Sequence, residues 1–113
     1  MEIEKYAFGS IKIDGETFVS DIIIFPEGVV PSWRRKSGHL VLPEDIEEII
    51  TYKPQTVIFG TGMFGVMKIH ESALSLLKAN NIETIIKPTS QAVKVFNKLS
   101  PKNKAVAALH LTC

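Results

Sequence analysis

Cysteine occurs once in this chain, as Cys113, so no intrachain disulfide can staple the fold and a secreted disulfide scaffold is excluded. Long apolar runs are missing as well: none approaches the ~20 residues of a membrane-spanning helix, so no membrane partner is expected. The opening Met1-Glu2-Ile3-Glu4-Lys5 lacks the basic-then-apolar order of a secretory signal. A soluble, cytoplasmic protein is the expectation. Neither sign of charge dominates, since the formal net charge is +1, and a dedicated nucleic-acid binder is therefore not expected. Acids are scarce in one half only. Residues 1–51 carry 10 acidic and 5 basic residues, whereas residues 52–113 carry 2 acidic, Glu71 and Glu83, and 8 basic. Paired carboxylates for general acid–base work are thus unavailable in the second half. G-x-S-x-G, H-E-x-x-H and P-loop patterns are absent.

What is present is a core former. The 113 residues are 45% hydrophobic, enough for one domain over 1–113. Residues 1–28 read as a β-rich layer. Ile11-Lys12-Ile13 and Thr17-Phe18-Val19 flank Asp14-Gly15, the strongest short hairpin signal. Asp21-Ile22-Ile23-Ile24-Phe25 reads as a strand buried on both faces, broken by Pro26 to Gly28. Val29 to Leu42 reads as a connector. Residues 43–113 read as an α/β core. Leu42-Pro43-Glu44-Asp45 starts a short helix with Ile46, Ile49 and Ile50 inward. Thr56 to Phe59 is a strand, Val66 to Ile69 an extended segment, and 71–80 a helix. Residues 82–87 form a strand, Thr89 or Ser90 caps a third helix, Ser100 to Asn103 turns, and 105–111 is the last strand. Alternating helices and strands predict a layered α/β fold with a mostly parallel sheet.

Gly60-Thr61-Gly62-Met63-Phe64-Gly65 follows the Thr56 to Phe59 strand. The G-x-G-x-x-G spacing is not a dinucleotide fingerprint here. The loop does not open a helix, and Lys87 stands where the ribose-binding acid belongs. Glycine loops at strand ends can still aim amides at an anion. Gly60, Thr61, Gly62 and Met63, with Lys68 and Lys87 near the same sheet edge and Arg34, or its neighbour Arg35, within reach, are the candidates for a small-anion site. No catalytic residue, metal site or cofactor is assigned. His39 has no second ligand at metal spacing, and His110 and Cys113 are too few for zinc. Trp33-Arg34-Arg35-Lys36 is a minimal basic patch, and Trp33 reads as a lid over the sheet edge.

Four segments carry a family resemblance. They are the strand before Gly60-Thr61-Gly62-Met63, the T-x-x-A-x-x-x-[aromatic]-N-x-L pattern from Thr89 to Leu99, the ending His110-Leu111-Thr112-Cys113, and Gly9-Ser10-Ile11 with Trp33. Together they resemble the small α/β domain family of unknown biochemical function that includes the adipogenesis-associated domain protein and the mitochondrial complex I assembly factors, and the chain looks like a compact prokaryotic, archaeal-type member. The resemblance implies three layers: a mixed sheet, helices on both faces and an added antiparallel β layer, with the last strand antiparallel to the others. It implies no chemistry. Two functional readings stay open: a binding or assembly-factor-like scaffold with a protein partner and an anion cleft at Gly60 to Gly65, or an enzyme acting there on a phosphorylated or carboxylated small molecule.

Overall fold

The computed structural model describes residues 1–102 and 104–113, so Asn103, the last residue of the expected Ser100 to Asn103 turn, lies outside the described residues. The chain opens as a three-stranded antiparallel meander of β1 (Ile3–Ala7), β2 (Ser10–Ile13) and β3 (Glu16–Phe18). Asp14 and Gly15 both take positive φ, 46° and 85°, the backbone that a tight right-twisting hairpin requires.

β4 (Ile22–Phe25) then turns through Pro26 and Glu27 into β5 (Gly28–Val30). The segment read as a break and connector therefore holds a strand, because half-buried Val29 and Val30 suit a sheet edge. A second short strand, β6 (Leu40–Val41), ends the connector. The Pro43 helix start is correct in place, but its first turn is a 3-10 turn over Pro43–Ile46 before α1 (Glu47–Tyr52). β7 (Thr56–Thr61), β8 (Lys68–Ile69), α2 (Glu71–Ala79), β9 (Glu83–Lys87), α3 (Thr89–Leu99) and β10 (Ala105–His110) follow. Neither Thr89 nor Ser90 caps α3. The residue before the helix is Pro88, without a side-chain cap bond, and the Thr89 hydroxyl is engaged elsewhere.

Five strands form the main sheet in the order β5-β4-β10-β7-β9. The expectation that the last strand runs antiparallel to the others needs correction. β10 is parallel to β7 and antiparallel only to β4. The cause is the 11-residue α3, which carries the chain back to the starting edge before β10 begins.

The sheet is covered on both faces. Ile23, Val57, Phe59, Val106 and Ala108 pack against Trp33, Ile49, Met67, Ala73 and Leu77, which belong to the connector, α1, the glycine-loop exit and α2. Ile22, Ile24, Ile58, Ala105, Ala107 and Leu109 pack on the other side against Ala92 and Phe96 of α3 and Ile3, Ile11 and Ile13 of the meander. Alanines along the central β10 let α3 approach the sheet closely. The result is a mixed three-layer α/β fold with an added antiparallel N-terminal sheet. Among the described residues, no helix is long and apolar enough to cross a membrane.

Candidate functional site

Parallel strands β7, β9 and β10 all finish on one edge of the sheet, at Thr61, Lys87 and His110. Antiparallel β4 starts there, just after Asp21. α2 leaves β7 over one face and α3 leaves β9 over the other, so the loops diverge between those two strands. Such a divergence is where open α/β sheets hold ligands. A cleft of about 380 Å³ lies there, lined by Thr61, Gly65, Met67, Lys68, Ile69, Ile86 and Pro88.

The glycine loop does not offer its amides to that cleft. Met63 N–H donates to Thr112 O at 2.7 Å, and Phe64 and Val66 N–H donate to Cys113 O at 3.3 and 3.1 Å. Gly65 N–H turns back to Gly62 O, and Met67 N–H to Thr61 O. Gly62 N–H donates to Thr89 Oγ1 at 2.8 Å, and that hydroxyl donates to His110 O at 2.6 Å. The glycines serve this packing. Gly62 has φ +101°, and a Cβ there would stand 2.2 Å from the Cys113 carbonyl carbon and 2.9 Å from His110 Cδ2. A Cβ at Gly60 would stand 2.8 Å from both Leu109 Cδ2 and Thr89 Oγ1. Close approach of the 110–113 segment is what the loop requires glycine for.

Thr61 spans strands, its hydroxyl donating to Lys87 O at 3.2 Å. Lys68 lines the cleft and is exposed, and Lys87 is exposed at the end of β9. Arg34 does not join them. It lies in a separate hollow with Trp33, Glu44, Asp45, Glu47 and Glu48. The neighbouring Arg35 points inward instead, because its guanidinium sits 4.6 Å over the Trp33 ring and its Nε donates to Gly38 O at 2.6 Å. Trp33 is buried, with Nε1 donating to Asp45 O, so it is a core lid and presents no face to a nucleotide base.

Arg35 ends on Asp21. Its Nη2 lies 2.7 Å from Asp21 Oδ2, with Arg35 and Asp21 side chains 6% and 17% exposed. His110 Nδ1 meets the same oxygen at 2.7 Å, and Leu111 N–H donates to Oδ1 at 2.8 Å. Burial pushes the Asp21 carboxyl up. The hydrogen bonds from His110, Leu111 and Arg35 outweigh this and hold its pKa below the usual carboxylate value. A carboxylate only accepts, so the His110 proton sits on Nδ1. Nε2 then faces the Thr112 hydroxyl at 3.5 Å, while the His39 ring lies edge-on to His110, centroids 5.2 Å apart. Arg35 Nη1 is buried without a hydrogen-bond partner among the described residues. This cluster can lock the connector to the end of β10. It does not line the cleft, whose only titratable side chain is Lys68.

A surface hollow of about 740 Å³ lies at the opposite end of the sheet between β5 and α1. Its floor is apolar and its rim carries Glu27, Glu47 and Glu48. That is the amino end of the parallel strands, which α/β sites do not use. Among the described residues no group of three or more His, Cys, Asp or Glu is placed to hold a metal ion.

Beside the cleft the glycine loop is conspicuously apolar. Phe64 is 73% exposed and Phe8 52%, their ring centroids 6.3 Å apart. Met63 and Val66 are also exposed. Phe8 stands on the β1–β2 turn, which Gly9 N–H ties to Leu111 O at 2.9 Å.

The sequence profile of a family described as "Protein of unknown function (DUF498/DUF598)" matches residues 3–111. The chain belongs to that family. The solved structure of a conserved hypothetical protein from Pyrococcus horikoshii is similar to this DUF498/DUF598 domain at 31% identity and TM-score 0.86, covering 100% of each chain. The protein MT938 is similar at 28% identity and TM-score 0.82, over 99% of this chain and 98% of that one. A Bordetella pertussis protein described as an Mth938-like domain shares the fold at 19% identity and TM-score 0.69, over 97% and 85% of the two chains.

Within the DUF498/DUF598 domain, sequence reasoning placed the glycine loop, Thr61 and Lys68 on one edge. It did not assign Asp21 or Arg35 to the His110 end. Asp21 stands directly before an apolar strand, and a charge in that position is the signal that points to it.

Proposed function

We propose that this DUF498/DUF598 domain is a protein-binding, assembly-factor-like module that seats a partner on the apolar rim of its glycine loop. The observation that carries the reading is Phe64, a large aromatic held 73% exposed on a loop whose backbone is tied down by hydrogen bonds to residues 112 and 113. Exposed aromatics on a rigid frame bind with little ordering cost. Phe8, Met63 and Val66 extend the patch, and Lys68 and Lys87 stand on the same edge. The partner that fits is a protein segment with an apolar anchor flanked by acidic residues. The resemblance to mitochondrial assembly factors supports partner binding by analogy.

The cleft at Lys68 favours a second reading, a small carboxylated or phosphorylated ligand between β7 and β9. The loop amides are bonded and the Thr61 hydroxyl is spent on Lys87 O, which leaves Lys68 to hold it.

One experiment separates the readings. The immobilised domain and its Phe64→Ser variant are exposed to cell extract, and each protein retained by the wild type alone is purified and titrated against both. The proposal expects a partner bound at least tenfold more weakly by the variant at unchanged variant stability. In parallel, thermal melts are run with nucleotides, sugar phosphates and small carboxylates. A dose-dependent rise lost in Lys68→Ala, with no Phe64-dependent partner, overturns the proposal in favour of the cleft.

A further inference from the structure

Strand β9 is an open edge. It pairs with β7 on one side and with no strand on the other among the described residues. Glu83 N–H donates to Gln55 O, and Lys87 O accepts from Thr61, so the main chains of Glu83, Ile85 and Lys87 face β7. By the alternation of a strand, the N–H and C=O groups of Thr84 and Ile86 face outward. Natural edges are blunted by proline, by charge or by shortness. The other sheet edge, β5, has three residues between Pro26 and Pro31. β9 has five, Glu83-Thr84-Ile85-Ile86-Lys87, with no bulge and with Ile86 exposed.

The sequence of β9 is complementary to itself when read antiparallel. From this we infer that the domain forms a two-fold homodimer by pairing β9 with β9 of a second copy, centred on Ile85. In that register Glu83 stands opposite Lys87 of the second copy, and Lys87 opposite its Glu83. Thr84 faces Ile86, and Ile85 faces itself. The outward main-chain groups meet correctly, because Thr84 and Ile86 of the second copy exchange both their N–H···O=C bonds, as hydrogen-bonded antiparallel neighbours do. A two-fold contact of this kind closes and does not propagate into a fibre. The β1 edge of the meander offers no such match: β1 paired on itself about its centre sets Lys5 against Lys5. The inference shares Lys87 with the docking reading but uses neither Phe8 nor Phe64, which lie outside β9.

Light scattering on the purified chain across a concentration series tests it. Twice the 12.5 kDa chain mass is expected at high concentration, with dissociation in the micromolar range for so small an interface. Glu83→Lys and Lys87→Glu alone each weaken association about tenfold by setting like charges opposite, and the double swap restores it. Register is read by cross-linking in a Cys113→Ser background. Ile85→Cys oxidises to a covalent dimer, since its non-hydrogen-bonded position brings the two α-carbons within about 4.5 Å. Thr84→Cys and Ile86→Cys cross-link to each other when mixed far better than either does alone. A monomer at every concentration, or a dimer insensitive to the charge swaps and broken by Phe64→Ser, overturns the inference.

Discussion

Asp21 Oδ2 and His110 Nδ1 lie 2.7 Å apart although the residues are separated by most of the chain. The contact closes the sheet edge by joining the start of β4 to the end of its neighbour β10. Arg35 bonds the same carboxylate and stacks on Trp33, so the connector is fixed by the same group. Asp21 Oδ1 also takes the Leu111 amide, which starts the 111–113 segment across the glycine loop. The surface that carries Phe64 therefore rests, two steps back, on one partly buried carboxylate.

Asp21→Asn should cost about 3 kcal/mol near neutral pH, because Arg35 is left as a buried charge without its counter-ion. The folded-state pKa of Asp21 is held low, so its contribution is present above the unfolded aspartate value of about 3.9 and is lost as pH falls through the lower folded value. Urea unfolding of wild type and variant at stepped pH checks this. The gap should hold steady from neutral pH to about pH 5 and shrink below pH 4. A gap that does not shrink in acid would assign the loss to packing rather than to charge.

Thr89→Val keeps the shape of the side chain and removes its hydroxyl. Gly62 N–H and His110 O then lose their shared partner in a fully buried site. A loss of about 2–3 kcal/mol is expected by chemical denaturation, since an unsatisfied buried amide carries its full desolvation cost. Thr89→Ser should recover most of it, as it restores the hydroxyl.

The Thr89-to-Leu99 motif shows what could be read from the sequence and what could not. Its spacing correctly gave a helix with Ala92 and Phe96 inward, since a 3.6-residue period is a local property. The roles of Thr89 and Asn97 were hidden, because their partners come from distant strands. Asp14-Gly15 and the apolar β4 were legible for the same local reason. The direction of β10 depended on how far α3 carries the chain, which no local pattern encodes. The glycine loop was legible as a loop and misleading as an anion cradle. Its amides are taken by the 112–113 carbonyls, a contact visible only once β10 lies beside β7. Arg34 and Arg35 are adjacent in sequence, and only packing on Trp33 decides which one turns inward.

Asn97→Ala should loosen the meander in particular. The Asn97 amide brackets Ile3, accepting from its N–H at 2.9 Å and donating to its carbonyl at 2.7 Å. This is a side-chain tie between α3 and β1. Its loss should cost about 2 kcal/mol for the pair of bonds. Hydrogen exchange checks the location: amides of β1 and β2 should lose protection well before those of β7 and β10, if the meander opens as a unit. Uniform loss across both sheets would mean that the layers unfold together.

Two substitutions in the glycine loop should separate its frame from its surface. Gly62→Ala sets a Cβ 2.2 Å from the Cys113 carbonyl carbon and forces a side chain to φ +101°. Strain of this kind costs more than about 2 kcal/mol, and the 111–113 segment must move to relieve it. Phe64→Ser removes a ring that is 73% exposed, so its stability should change by less than about 1 kcal/mol. Thermal melts of both variants give the comparison. Partner binding lost in both, with stability lost only in Gly62→Ala, would mean that the loop acts through the surface it presents. Equal destabilisation would place Phe64 in the frame, and the aromatic would then be a packing residue despite its exposure.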